Sequence, residues 1–204
     1  MRLYLSSFRV GRHPQRLLDL SGGGRNTGLI RHALDGTHRN PAVMTRDLDD
    51  LQRLGLQVTL LDLHRAGTVD LLENFDILFV RGGNVFMSRH VLAATGADQV
   101  LHDLVQRDAL VYAGFSAGAC VLAPDLTDFA MVDDPHVVEH PMFTGLGLLD
   151  RPFVPHVQSP EHPEGQACDR LSAWYTAVGQ PHWAVRDGEV LMVDGSTTEH
   201  LQAN

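Results

Sequence analysis

The segment Gly114-Phe115-Ser116-Ala117-Gly118 sets a serine between two glycines, the spacing of an activated nucleophile on a sharp turn. It follows the apolar run 109–113 and precedes the small-residue run 119–123, so a buried strand, a one-residue corner and a short helix are expected. The glycines suit a turn too tight for side chains. The helix N-terminus would aim N–H groups at negative charge forming near the serine oxygen. A Gly/Ala-rich strand-to-helix turn with a capping serine is the bland alternative. A serine hydroxyl needs a base to take its proton, and histidine is the usual one near neutral pH. Among twelve histidines, His156 stands out because Pro155-His156 closes the apolar pair Phe153-Val154. Parallel strands deliver catalytic groups at their carboxyl ends, the edge where the serine also sits.

A carboxylate should fix the tautomer of that histidine and offset imidazolium charge. Asp125, Asp128, Asp133, Asp134, Glu139 and Asp150 lie between Ser116 and His156, and spacing does not choose among them. Arg81-Gly82-Gly83-Asn84 follows an apolar run, and its N–H groups with that of Ala117 are candidates for an oxyanion site. An ordinary tight turn with Asn84 as helix cap competes with that reading. Two further patterns carry less. His136-Val-Val-Glu-His140 matches a zinc-site spacing, but Pro135 and Pro141 leave barely one helical turn, so no metal is expected. Ser21-Gly-Gly-Gly-Arg25 lacks the Lys-Ser/Thr of a phosphate loop and reads as a plain loop. No cofactor is expected.

The elements that must position these groups alternate along the chain. Short apolar runs at 2–6, 27–30, 57–62, 76–80, 109–113 and 153–154 read as strands, and 43–54, 86–94, 97–107 and 164–178 read as helices. Segment 124–150, with several prolines and glycines, reads as irregular. Residues 183–185 and 190–193 flank Arg186-Asp187-Gly188-Glu189, and Asp-Gly is a hairpin signal, so a C-terminal antiparallel pair is expected at a sheet edge. The whole describes one α/β domain over 1–204, with a mostly parallel sheet flanked by helices on both faces.

Composition agrees with that class. The chain of 204 residues is 44% apolar and 20% charged, with a formal charge of −9. The acidic balance disfavours nucleic acid and anionic membranes as partners. No signal peptide or membrane span is visible, and Cys120 and Cys168 read as buried small hydrophobes of a reducing compartment, so the cytoplasm is the expected location. A homodimer is compatible with a small α/β enzyme.

Three segments in order, Val80-Arg-Gly-Gly-Asn-Val-Phe86, Gly114-Phe-Ser-Ala-Gly-Ala119 and Leu146-Gly-Leu-Leu149 with Val154-Pro-His156, resemble the peptidase E (aspartyl dipeptidase) and cyanophycinase family of serine peptidases. The resemblance covers most of the chain. It implies a fold similar to class I glutamine amidotransferases, with serine at the elbow in place of cysteine. It further implies Ser116 as nucleophile, His156 as base, and oxyanion N–H groups from Gly83 and Ala117. For the acid it points to Asp128, with Asp133 as competitor. Arg170 falls near the place of an arginine that binds the acidic side chain of a dipeptide with N-terminal aspartate. The implied activity is hydrolysis of small peptides, without metal or cofactor. A non-catalytic ligand- or partner-binding member of the same fold, and an esterase or amidase with another acyl specificity, are the alternatives.

Overall fold

The computed structural model describes residues 1–36 and 41–203, with 41–44 described by backbone alone. Strands β1 (Arg2–Ser6), β2 (Asn26–Ile30), β3 (Gln57–Leu61), β4 (Ile77–Val80) and β5 (Val111–Phe115) pair in parallel. Strands β8 (Val190–Asp194) and β9 (Thr197–Leu201) extend the sheet antiparallel from β1, giving the seven-stranded order β3-β2-β4-β5-β1-β8-β9. A separate parallel pair, β6 (Phe153–Val154) and β7 (Trp183–Ala184), stands outside it.

Alternating side chains divide the core between the two faces of the sheet. Tyr4 joins a cluster with Leu17 and Leu20 of α1 (Pro14–Leu20) and Leu51 of α2 (Pro41–Arg53). Leu3 and Leu5 face the other way, into a core shared with α3 (Val85–Thr95), α4 (Ala97–Gln106), α5 (Ala117–Cys120) and α6 (Gly165–Ala177). Cys120 and Cys168 are buried and unpaired. Segment 124–150 holds two short 3₁₀ turns, 127–131 and 135–137, and one isolated bridge between Asp125 and Thr144. No helix among the described residues is long and apolar enough to cross a membrane.

The C-terminal antiparallel pair is present, but its turn differs from the one expected. Residues 186–189 do form a turn, closed by the Glu189 N–H donating to the Arg186 carbonyl at 3.0 Å. The strands on either side diverge: β7 pairs with β6, and β8 pairs with β1. The hairpin is instead β8–β9, closed at Asp194↔Thr197. Two-residue strands carry too little pattern to announce the β6–β7 pairing in advance.

At the centre of the sheet β5 runs straight into Ser116 and α5. Neither flanking glycine tolerates a side chain. A Cβ on Gly114 would lie 2.8 Å from the Gly118 carbonyl oxygen, and one on Gly118 would overlap the carbonyl oxygen of Val80 at the end of β4. The buried Tyr112 hydroxyl donates to the Gly118 carbonyl at 2.7 Å and holds the turn from below. Because the obstacle at Gly118 is backbone, Gly118→Ala must displace β4 or α5. The substitution is expected to cost about 2–3 kcal/mol, seen as a fall in Tm of roughly 5–10 °C by calorimetry.

Candidate active site

The carboxyl ends of β1, β4 and β5 meet at one edge of the sheet, and a cleft of about 490 Å³ opens there. Ser116, Gly82, Gly83, His156 and Asp187 all line it. Ser116 sits at φ 49°, ψ −124°, the strained corner that lifts a side chain off the end of a strand. Its carbonyl accepts from the N–H groups of Ala119 and Cys120, at 2.8 and 2.9 Å, which fixes the corner onto the first turn of α5.

The β6–β7 ribbon sets His156 against Asp187. Val154 lies opposite Ala184, so the residues just beyond the two strands, His156 and Asp187, emerge side by side. His156 Nδ1 is 2.6 Å from Asp187 Oδ1. An ionised Asp187 can only accept, so Nδ1 carries the proton and Nε2 presents its lone pair. That fully buried Nε2 makes no hydrogen bond among the described residues.

Ser7, just past β1, ties the pair to the sheet. Its hydroxyl donates to Asp187 Oδ1 at 2.7 Å and accepts from the His156 backbone N–H at 2.8 Å. Burial opposes ionisation of Asp187, but the bonds from His156 and Ser7, with the charges of His156 and His162, more than offset it and hold the carboxyl below its ordinary range. His162 stacks on His156, with ring centroids 3.5 Å apart and planes within 5°. Burial first and His156 second push His162 down to about 4, so it packs as a neutral ring at neutral pH.

The carboxylate bonded to His156 is therefore that of Asp187, and neither Asp128 nor Asp133 occupies that place. Asp128 lies in the 3₁₀ turn 127–131, which packs against α6. Asp133 Oδ2 accepts the Val85 N–H at 2.8 Å and so serves the start of α3. Asp187 follows the histidine in the chain and so lies outside the stretch between Ser116 and His156 in which a carboxylate is expected. Its Asp-Gly dipeptide advertised only a turn.

Gly83 adopts φ 142°, and a Cβ there would overlap the Ala33 carbonyl oxygen. The N–H groups of Gly82, Gly83 and Ala117 make no hydrogen bond among the described residues, and Gly82 and Gly83 line the cleft. Asn84 is a scaffold residue. It caps α3 by accepting from the Met87 N–H at 3.0 Å, donates its side chain to the Asp134 carbonyl at 2.9 Å, and donates its own N–H to Ala33 at 2.9 Å. Arg170 is exposed on α6 and does not line the cleft.

Two clusters bring metal-type donors together, His32/Asp35/His64 and His156/His162/Glu164. In the first, His32 Nε2 accepts the Leu63 N–H at 2.9 Å, which leaves the ring proton on Nδ1 facing Asp35 at 2.7 Å. That ring has no lone pair to offer an ion without losing a backbone bond. In the second, the parallel stacked rings hold their in-plane lone pairs in separate planes, so one ion cannot sit correctly on both. His136 and His140 of the zinc-like motif are both exposed.

Burial raises Asp133 to about 7, with the Val85 N–H opposing and the Glu164 charge adding to the rise. An unfolded aspartate titrates near ~3.9. Between those values the folded chain holds a proton that the unfolded chain has released, so this group's stabilising contribution is lost as pH rises through that window. Asp133→Asn keeps the acceptor for Val85 and removes the charge. In thermal unfolding, the Tm advantage of the variant over the parent should be near zero below the unfolded value, at about pH 3.5, widen as pH rises through the window, and be fully developed at about pH 8.

The model of peptidase family S51 matches residues 16–201 of this chain. An uncharacterized peptidase of Listeria innocua is 31% identical over 163 residues, covering 72% of this chain and 75% of that protein. Peptidase E of Streptomyces coelicolor is 34% identical over 128 residues, covering 61% of this chain and 51% of that one. The crystal structure of a Listeria monocytogenes protein labelled peptidase E covers 98% of both chains with a TM-score of 0.82 at 22% identity, a likeness of fold. The match along nearly the whole chain agrees with the elbow and the cleft, and the chain belongs to peptidase family S51, the peptidase E family of serine peptidases.

Proposed function

We propose that the chain hydrolyses short peptides with Ser116 as nucleophile, His156 as general base and Asp187 as the acid that orients it. The observation that carries this reading is the pairing of a strained Ser116 with a His156 whose Nδ1 is held by Asp187 at 2.6 Å and whose Nε2 makes no hydrogen bond, the Glu164 carboxylate standing 3.9 Å from it, in one cleft.

In this reading His156 Nε2 takes the Ser116 proton as the serine oxygen attacks the peptide carbonyl. The oxyanion that forms leans on the N–H groups of Gly83 and Ala117. His156 then hands the proton to the leaving amine, which departs and leaves an acyl-serine. Water, deprotonated by His156, attacks that ester, and the proton returns to Ser116 as the acid product leaves. Asp187 stays ionised throughout and keeps the imidazole in the working tautomer. Ser7 and the stacked ring of His162 hold the histidine in register.

The cleft suits a small substrate, being in the range of pockets that enclose molecules of dipeptide size. Selectivity for an N-terminal aspartate requires a cation inside the cleft, and exposed Arg170 does not supply it.

On a dipeptide panel, Ser116→Ala should lower kcat by on the order of 10⁴-fold or more. Asp187→Asn frees the wrong tautomer and should lower kcat by about 10³–10⁴-fold. Steady-state kinetics on the purified chain checks both. Turnover retained by Ser116→Ala would end the proposal, and turnover retained by Asp187→Asn would remove that residue from it.

A further inference from the structure

The cleft holds two arginines with opposite fates. Arg81, at the end of β4, is buried, ion-paired through Nε to Asp47 and bonded through Nη1 to the Gly82 carbonyl at 2.8 Å. Its charge is used by the fold. Arg46, one residue before Asp47 on α2, lines the same cleft and makes no ion pair or hydrogen bond among the described residues. Its Nε is shut off from solvent without a partner. Of the nearby acids of its own helix, Asp47 is engaged by Arg81 and Asp50 by Arg9 and Arg53, while Asp49 is exposed and makes no ion pair with Arg46.

Arg46 is also held in place. Its guanidinium lies over the Phe8 ring, 5.6 Å from the centroid, and that ring meets the His156 ring edge-on at 6.0 Å. The cation thus stands one aromatic ring away from the base. A planar fork of N–H donors on a fixed platform, screened from water at Nε, is the arrangement that takes a carboxylate through paired charge-assisted bonds.

We infer that Arg46 is the specificity-determining cation of this cleft and binds a carboxylate group of the peptide substrate. The inference rests on the reading of Ser116, His156 and Asp187 as the peptidase centre. Two parts of a short peptide carry that chemistry, an acidic side chain and the C-terminal carboxylate.

The test uses four peptides that vary the two carboxylates independently: Asp-Leu, Asn-Leu, Asp-Leu-amide and Asn-Leu-amide. Binding to the Ser116→Ala protein is measured by calorimetry, with and without Arg46→Ala and Arg46→Lys, and hydrolysis is followed in the Ser116 enzyme. Arg46→Ala should weaken binding by about 10- to 100-fold for peptides that carry the recognised carboxylate. Those that lack it should be unaffected, and Arg46→Lys should recover part of the loss. In the enzyme the effect should fall on KM rather than kcat, and Arg170→Ala should change neither.

A loss that follows Asp against Asn assigns the side chain, and one that follows the free against the amidated C-terminus assigns the terminal carboxylate. Equal weakening of all four peptides, no weakening of any, or no binding of any carboxylate-bearing peptide overturns the inference. Failure of the catalytic reading shows separately, as absent hydrolysis by the enzyme with Ser116 intact or as hydrolysis that survives Ser116→Ala.

Discussion

The contact between the start of α5 and the end of β4 admits no side chain, and the geometry of the cleft follows from that restriction. Gly118 lies against the Val80 carbonyl, and a Cβ on Gly82 would come within 2.7 Å of Ser116 Cβ. With the backbones this close, the corner at Ser116 is confined to its strained φ of 49°. The strain, of order 1–3 kcal/mol for such a conformation, persists because the neighbouring strands are buried and hydrogen-bonded on both sides. The same proximity sets Gly82 against Ser116, so the serine corner and the Gly82-Gly83 turn face the cleft through one packing contact.

The contact of His156 with Asp187 is set by a second, smaller device. The ribbon of β6 and β7 contributes only two residue pairs, yet it carries His156 and Asp187 to adjacent positions. Ser7 then links both to the end of β1, while the Ser7 N–H donates to the Glu189 carbonyl at 3.2 Å. Three stretches distant in sequence are joined through one hydroxyl. His156 itself adopts φ 57°, a further strained position for a non-glycine residue at this site.

How much of this could be read beforehand depended on range. The elbow declares itself because its constraint is local: glycines two residues either side of a serine, between a strand and a helix. His156 was found by the same logic, as a histidine ending an apolar run. Asp187 was not, because its partner is reached through a parallel pairing of two-residue strands, and Asp187-Gly188 carries an ordinary turn signal. Of the two competing readings of Asn84, its side chain is engaged in the cap, where it accepts the Met87 N–H. Arg46 gave no signal at all. An arginine on an amphipathic helix reads as solvated surface until the fold lays it over Phe8.

The central claim is that Ser116 is an activated nucleophile because Asp187 holds His156. Covalent labelling by a fluorophosphonate, followed by mass spectrometry of the intact chain and its peptides, tests this without knowledge of the natural substrate. The account predicts one label per chain at Ser116, with a rate that collapses in Asp187→Asn while the fold is retained. Labelling of Ser116 at an undiminished rate in Asp187→Asn, or no labelling of the parent chain, would contradict it.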